Sequence, residues 1–144
     1  MDLRALLELH EGRVPHVYQD SLGYFTVGVG HMCDKLKGGR LPDKIIDDLL
    51  DWDIFETTQA LYKALPWVVG LDPVRRAVLT DMAFNLGITG LLGFKNTLAF
   101  VAAGDYAQAA TNMLKSKWAG QVKSRAVRLA EMMRSGDWPP EHEP

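Results

Sequence analysis

One short stretch constrains the fold more than any other. From Val17 to His31, β-branched and aromatic residues flank a polar turn: Val17-Tyr18, then Gln19-Asp20-Ser21-Leu22-Gly23, then Tyr24-Phe25-Thr26-Val27-Gly28-Val29-Gly30. Two such runs on either side of a glycine-containing turn read as a β-hairpin, and no other stretch reads this way. The surrounding chain is helical in texture. Leu3, Leu6, Leu7 and His10 recur at helical spacing over residues 2–11 and stop at Gly12, a residue suited to the left-handed position after a helix. Residues 33–40 read as loop or frayed edge. Helical periodicity returns after Pro42 through Ile45, Ile46, Leu49, Leu50 and Leu61, a segment placed to join two lobes. Asp72-Pro73 sets a capping residue before a first-turn proline and opens a helix through Val74, Ala77, Val78, Met82 and Phe84 towards Gly87. A helix from Phe94 to Ala103 ends at Gly104. Asp105 with Gln108 resembles a capping box and starts a helix to about Lys117, and a last one runs from about Ser124 to Ser135 before Gly136. Strand texture confined to one early hairpin, with helices everywhere else, predicts an α+β fold.

A chain of 144 residues suits one compact domain, or one domain divided into two lobes. Its 47% hydrophobic and 24% charged residues exclude a disordered chain, and the single cysteine, Cys33, cannot form an internal disulfide. No apolar run approaches the roughly eighteen residues of a membrane span. The start Met-Asp-Leu-Arg-Ala-Leu-Leu-Glu lacks a signal-peptide core, so the expectation is synthesis in a reducing cytosol. The net charge of -2 argues against a generic nucleic-acid binder. The charge is nevertheless segregated. Asp43, Asp47, Asp48, Asp51, Asp53 and Glu56 face only Lys44, whereas Lys115, Lys117, Lys123, Arg125, Arg128 and Arg134 face only Glu131. A cationic face on a near-neutral chain suggests an anionic polymer, nucleic acid or cell-wall polymer; the plainer reading is a solvated helix face.

The candidate chemistry lies at the hairpin. Glu11 closes the first helix, Asp20 sits in the turn and Thr26 lies on the return strand. Two carboxylates flanking a cleft are what acid-catalysed glycoside hydrolysis needs, one protonating the leaving oxygen while the other activates water or attacks the sugar. The negative end of the helix dipole favours a protonated Glu11, suiting it to the acid role. Asp20, in a turn rich in backbone donors, is expected to stay ionised, and the Thr26 hydroxyl is placed to hold the attacking water. Taken singly, a carboxylate in such a turn more often just caps its own backbone.

The wider text resembles the T-even phage lysozymes, glycoside hydrolase family 24. The resemblance begins with Glu11-Gly12, Tyr18, Asp20, Gly23-Tyr24, Thr26, Gly28 and Gly30-His31. It continues through Asp72-Pro-Val-Arg-Arg-Ala, Met82-Ala-Phe-Asn-Leu-Gly, Thr89-Gly, Gly93-Phe-Lys-Asn-Thr, Asn112-Met-Leu-Lys-Ser-Lys-Trp, Arg125-Ala and Arg134-Ser-Gly-Asp-Trp, in order over nearly the whole chain. It implies a mostly helical lysozyme-like fold: a small N-terminal lobe with the hairpin and a larger all-helical C-terminal lobe, joined by a helix. In numbers, a single catalytic domain 1–144 is expected, with helix 2–11, lobes over about 12–60 and 65–138, and a tail at 139–144. The implied activity is that of an endolysin cutting the β-1,4 bond between N-acetylmuramic acid and N-acetylglucosamine in peptidoglycan, with inversion and with no metal or organic cofactor. Glu11 would be the general acid, Asp20 the carboxylate acting on water and Thr26 the water-positioning partner. Inversion implies carboxyl groups roughly 6.5–9.5 Å apart. Family-like cleft positions are Gly30, Met32, Phe84, Asn85, Thr97, Asn112 and Lys117. Arg125 matches an arginine that approaches the catalytic glutamate, and His31 matches a histidine paired with an aspartate, for which Asp51 is the candidate.

Three departures accompany the resemblance. The stretch between His31 and Asp51 is shorter than in the T-even enzyme, Lys117 stands where an arginine fork is usual, and His10 replaces an acidic neighbour of the glutamate. Other signals are weaker. Gly28 and Gly30 lack the third glycine of a dinucleotide fingerprint, and His31 with Cys33 lacks the further ligands of a zinc site. Cys33 has no nucleophile motif, and Trp118 and Trp138 read as packing residues of the helical lobe. Two rival functions stay open: a lytic transglycosylase using the same acid, and a non-catalytic envelope- or nucleic-acid-binding module using the basic helices. The remaining expectations are a monomer with peptidoglycan rather than nucleic acid as partner, possible contact with an anionic envelope surface, and synthesis in a host cytoplasm with a holin giving access to the wall.

Overall fold

A computed structural model describes residues 2–34 and 38–140; the expected loop at 33–40 and tail at 139–144 therefore fall partly outside the described residues. The chain divides into two compact units, one up to Leu50 and one from Asp51 onward. The first holds helix α1 (Leu3–Glu11) and the strands β1 (Val14–Gln19), β2 (Phe25–Gly28) and β3 (His31–Met32). Helix α2 (Asp43–Ala64) begins in the first unit and ends in the second. After a 3-10 turn (Pro66–Gly70) come α3 (Pro73–Leu92), α4 (Lys95–Ala102), α5 (Tyr106–Lys115), α6 (Lys117–Val122) and α7 (Ser124–Ser135). This is the expected α+β arrangement.

The hairpin is present and carries one strand more than expected. The three strands form an antiparallel sheet in the order β1-β2-β3. Tyr18 pairs with Thr26 and Gln19 with Phe25, and Thr26 pairs in turn with Met32 across β2 and β3. An irregularity between Val14 and Tyr18 shifts the β1 register. Asp2 caps α1 by accepting from the Ala5 N–H. Gly12 follows at positive φ as expected, but with extended ψ rather than a left-handed turn, and this sends the chain directly into β1. Within this unit an apolar cavity of about 520 Å³ lies between the sheet and the start of α2, lined by Val17, Phe25, Val27, Cys33, Ile45 and Leu49 among others.

The helical unit is built on capping residues. Asp72 accepts from the Arg75 N–H and Asp105 from the Gln108 N–H, so both predicted caps operate. The helix expected to end towards Gly87 breaks there, at φ 74 and ψ 160, then continues to Leu92. The helix expected to run from Asp105 to about Lys117 stops at Lys115. Ser116 turns the chain and caps a separate α6 through the Ala119 N–H. Leu79, Met82, Leu91, Met113, Ala126 and Met133 pack in one core drawn from α3, α5 and α7, joined by Leu98 and Val101 of α4. Arg75 ties the two ends of this bundle together. Its guanidinium donates to the last-turn carbonyls Met133 O (2.7 Å) and Arg134 O (3.0 Å) of α7, and lies 3.7 Å from the centre of the Tyr106 ring. Gly136 ends α7 in the left-handed conformation that favours glycine, and a methyl group there would lie 2.8 Å from Arg75 Nη1 and press on that guanidinium. Trp118 is buried as expected. Trp138 departs from expectation: it follows that left-handed turn and leaves 48% of its surface exposed.

Candidate active site

The hairpin turn is organised by the Asp20 carboxylate. Asp20 Oδ1 accepts from the backbone N–H groups of Leu22 and Tyr24, both at 2.9 Å, while the Asp20 N–H donates to Tyr24 O at 2.8 Å. The sequence Asp-Ser-Leu-Gly-Tyr favours this because an aspartate can bond its own backbone two residues on, and Gly23 takes the positive φ that closes the turn. Among the described residues no hydrogen bond reaches Asp20 Oδ2. One oxygen is committed to the turn and the other remains available to a ligand or water.

Two residues past Tyr24, Thr26 is buried in the central strand, with its hydroxyl donating to Tyr24 O at 3.3 Å. That donation leaves the oxygen lone pairs as acceptors. Asp20, Tyr24 and Thr26 therefore form one connected group. Glu11 lies at the exposed end of α1, and the link between β2 and β3 brings Gly30 against it. Gly30 has φ 64, and a methyl group in place of its α-hydrogen would lie 2.9 Å from the Glu11 carboxyl carbon and from Oε2. The backbone thus packs directly on the end of the Glu11 side chain, and the positive φ at Gly30 favours glycine there.

Met32 and His31 are exposed on β3. Asp51 is exposed on α2. Arg125, matched by resemblance to an arginine near the glutamate, is held by Asp81: Nε and Nη2 both lie 2.9 Å from Asp81 Oδ1. Asp81 gave no sequence signal, since nothing in the spacing links positions 44 apart. Thr97 and Asn112 line one cleft of about 450 Å³, together with Phe94, Lys95, Asn96, Lys115 and Ser116. Phe84 is 45% exposed on α3. Asn85, next along, has its Oδ1 taken by the Trp118 indole N–H at 2.9 Å. Lys117 opens α6 at the surface. Among the described residues no group of three or more His, Cys, Asp or Glu side chains gathers to hold a metal ion.

The phage lysozyme family profile matches residues 8–131. Two Dictyostelium discoideum proteins, probable T4-type lysozymes 1 and 2, are each 24% identical, over 93% of this chain and 94% of their own. The pre-baseplate central spike protein of Enterobacteria phage T4 is 25% identical over 95% of this chain, a stretch amounting to 28% of that longer protein. A match from Glu8 to Glu131 takes in the hairpin and all but the last turn of the helical bundle, and with it the chain belongs to the phage lysozyme family of glycoside hydrolases.

Proposed function

We propose that the chain hydrolyses the β-1,4 bond joining C1 of N-acetylmuramic acid to O4 of N-acetylglucosamine in bacterial peptidoglycan, by single displacement with inversion. The observation carrying this reading is the split commitment of Asp20: one carboxylate oxygen fixed by two backbone N–H groups, the other unbonded among the described residues, beside the strand that bears Thr26. A carboxylate anchored in this way can take a proton from water without swinging out of position. In the proposed reaction that water attacks C1 and passes its proton to Asp20, while the Thr26 oxygen accepts the water's second hydrogen bond. Glu11 gives its proton to O4 as the C1–O4 bond breaks. The new reducing end is muramic acid in the α configuration.

Peptidoglycan as substrate fits a phage lysozyme that degrades a host wall. Synthesis in the host cytoplasm, access to the wall through a holin and action as a monomer complete the proposal. The basic residues from Lys115 to Arg134 are suited to holding the enzyme on an anionic envelope. No metal or organic cofactor enters the reaction.

The test is mass analysis of soluble fragments released from purified Gram-negative sacculi, with proton NMR of the first product formed. Free reducing ends appearing initially as the α anomer are expected. Fragments ending in 1,6-anhydromuramic acid would reassign the chain to transglycosylation, and no fragments from folded protein would point to a non-catalytic role for the basic helices.

A further inference from the structure

Beyond α7 the chain turns back on the helix it has just left. Gly136 takes the left-handed turn, the Asp137 N–H donates to Ser135 Oγ at 3.1 Å and Pro139 is buried, which leaves Trp138 beside α7 with 48% of its surface exposed. Between Trp138 and α7 lies a groove of about 670 Å³, within the size range of ligand sites. Its lining comes entirely from α7 and the residues that follow it, and none of the residues assigned to catalysis or to the cleft takes part. Arg75 holds the Met133 and Arg134 carbonyls at the end of α7, and the rings of Pro139 and Pro140 fix their own φ angles, so the groove is preformed.

The chemistry of the lining selects an occupant. Trp138 and Val127, the latter 61% exposed, supply apolar surface, and among the described residues no hydrogen bond engages the Trp138 indole N–H. Around them stand two guanidiniums, Arg128 and Arg134, and two carboxylates, Glu131 and Asp137, so the formal charge of the lining is zero. Arg134 and Glu131 are fixed on each other by two hydrogen bonds that use Nε and Nη2 and leave Nη1 over. A lipid headgroup layer or a polyphosphate asks for a surplus of cations, which this groove lacks. A pyranose ring fits better: its axial C–H face is apolar and stacks on an aromatic ring, while its edge carries hydroxyl and acetamido groups that bond to planar ionic side chains. We propose that the groove is a second glycan-binding site, where Trp138 stacks on an N-acetylated sugar of the polymer that the catalytic residues cut. The identity of that polymer rests on the peptidoglycan reading above. A second attachment to a repeating chain lengthens the enzyme's stay on it without taking part in the reaction.

The test is a titration of the whole chain with tetra-N-acetylchitotetraose, read by NMR of the indole N–H signals. The chain has four tryptophans, and Trp138→Phe identifies the Trp138 signal by its loss. That signal is expected to shift saturably, while Trp52, 57% exposed on α2, stays in place. On purified sacculi, Trp138→Ala is expected to raise KM about 2- to 10-fold, the worth of one stacked ring, and Trp138→Phe, which keeps a stacking face, to recover most of the loss. A Trp138 signal that ignores the glycan or moves no more than Trp52 overturns the proposal, as does a wild-type KM in Trp138→Ala. A signal that answers only to phosphatidylglycerol vesicles also overturns it and assigns the groove to a lipid surface. Should a variant fail to fold, backbone assignment of the wild-type chain identifies the signal and the titration decides alone. A wild-type enzyme that releases no fragments while Trp138 answers to glycan overturns the hydrolytic reading and leaves the site standing, whereas an active enzyme whose Trp138 ignores glycan overturns only this inference.

Discussion

The two compact units are held together by different physics. In the helical unit, Leu61, Val68, Val78, Leu79, Met82, Leu91, Val101, Met113 and Met133 lose essentially all contact with water, so stability there is a matter of apolar burial. In the N-terminal unit, the only buried residues among those described are Thr26 and Cys33. Its shape comes from short-range bonding: the Asp2 cap, the Asp20 turn, the strand ladders and backbone turns at positive φ. The carboxylates assigned to chemistry sit in this second kind of structure. A turn built from backbone N–H groups can hold a carboxylate rigidly while leaving an oxygen exposed, which a close-packed core cannot do.

The contrast is open to direct attack, beginning where the effect should be largest. Leu79→Ala removes a side chain with no exposure and is expected to destabilise the fold by about 2–5 kcal/mol, read as the midpoint of chemical denaturation. Leu22→Ala, in a turn where the side chain is 69% exposed, should change that midpoint by less than about 0.5 kcal/mol. A comparable loss at both positions would erase the distinction between the units.

Gly30→Ala acts on conformation and site together. It forces a side chain into a positive-φ position at a cost of about 1–2 kcal/mol and drives the new methyl group into the Glu11 carboxyl. Activity should fall more than stability, and an active Gly30→Ala enzyme would show that the contact with Glu11 is dispensable.

Asp72 sharpens the account of the helical unit. Burial pushes its carboxyl up, but hydrogen bonds from the Arg75 N–H and guanidinium, with the Arg75 charge, outweigh this and hold the pKa below its ordinary value. A group whose pKa is lowered by folding adds stability above its unfolded pKa and loses it as the pH falls through the folded one. Asp72→Asn should therefore flatten the acid limb of the stability profile, and Asp72→Ala, which removes the cap as well, should cost about 1 kcal/mol near neutral pH. An acid limb unchanged in Asp72→Asn would remove the ion pair from the account. The smallest effect is expected at Glu131. Its pKa is lowered by hydrogen bonding to Arg134 and by that residue's charge, yet both side chains are more than half exposed, and Glu131→Gln should leave the thermal midpoint where it was.

Legibility in the sequence followed the same division. Caps and helix ends were readable because each depends on a few adjacent residues: Asp72-Pro73, Asp105 with Gln108, and Gly136 all act where expected. Asp20 was readable as a turn carboxylate with backbone donors for the same reason. β3 escaped notice because two residues, His31 and Met32, cannot display a period. The short α6 was hidden inside an apparently continuous helix, since Ser116 reads equally well as an interior residue or a cap. The contacts Arg75 to Met133, Arg125 to Asp81 and Trp118 to Asn85 span 58, 44 and 33 positions, and no local pattern announces pairings of that range. The resemblance named Asn85 and Arg125, but only coordinates give their partners.

The central claim is that a loosely buried N-terminal unit carries the acid and the base of a glycan hydrolase. The measurement that bears on it most directly is the initial rate of reducing-end release from purified peptidoglycan by Glu11→Gln and Asp20→Asn, each paired with its thermal midpoint. Glu11 is exposed and outside the core, so Glu11→Gln should keep the wild-type midpoint while losing roughly 10²- to 10⁴-fold in rate. Asp20→Asn should lose comparable activity and no more stability than one weakened turn entails. A Glu11→Gln protein that melts normally and still releases reducing ends at the wild-type rate would contradict the account.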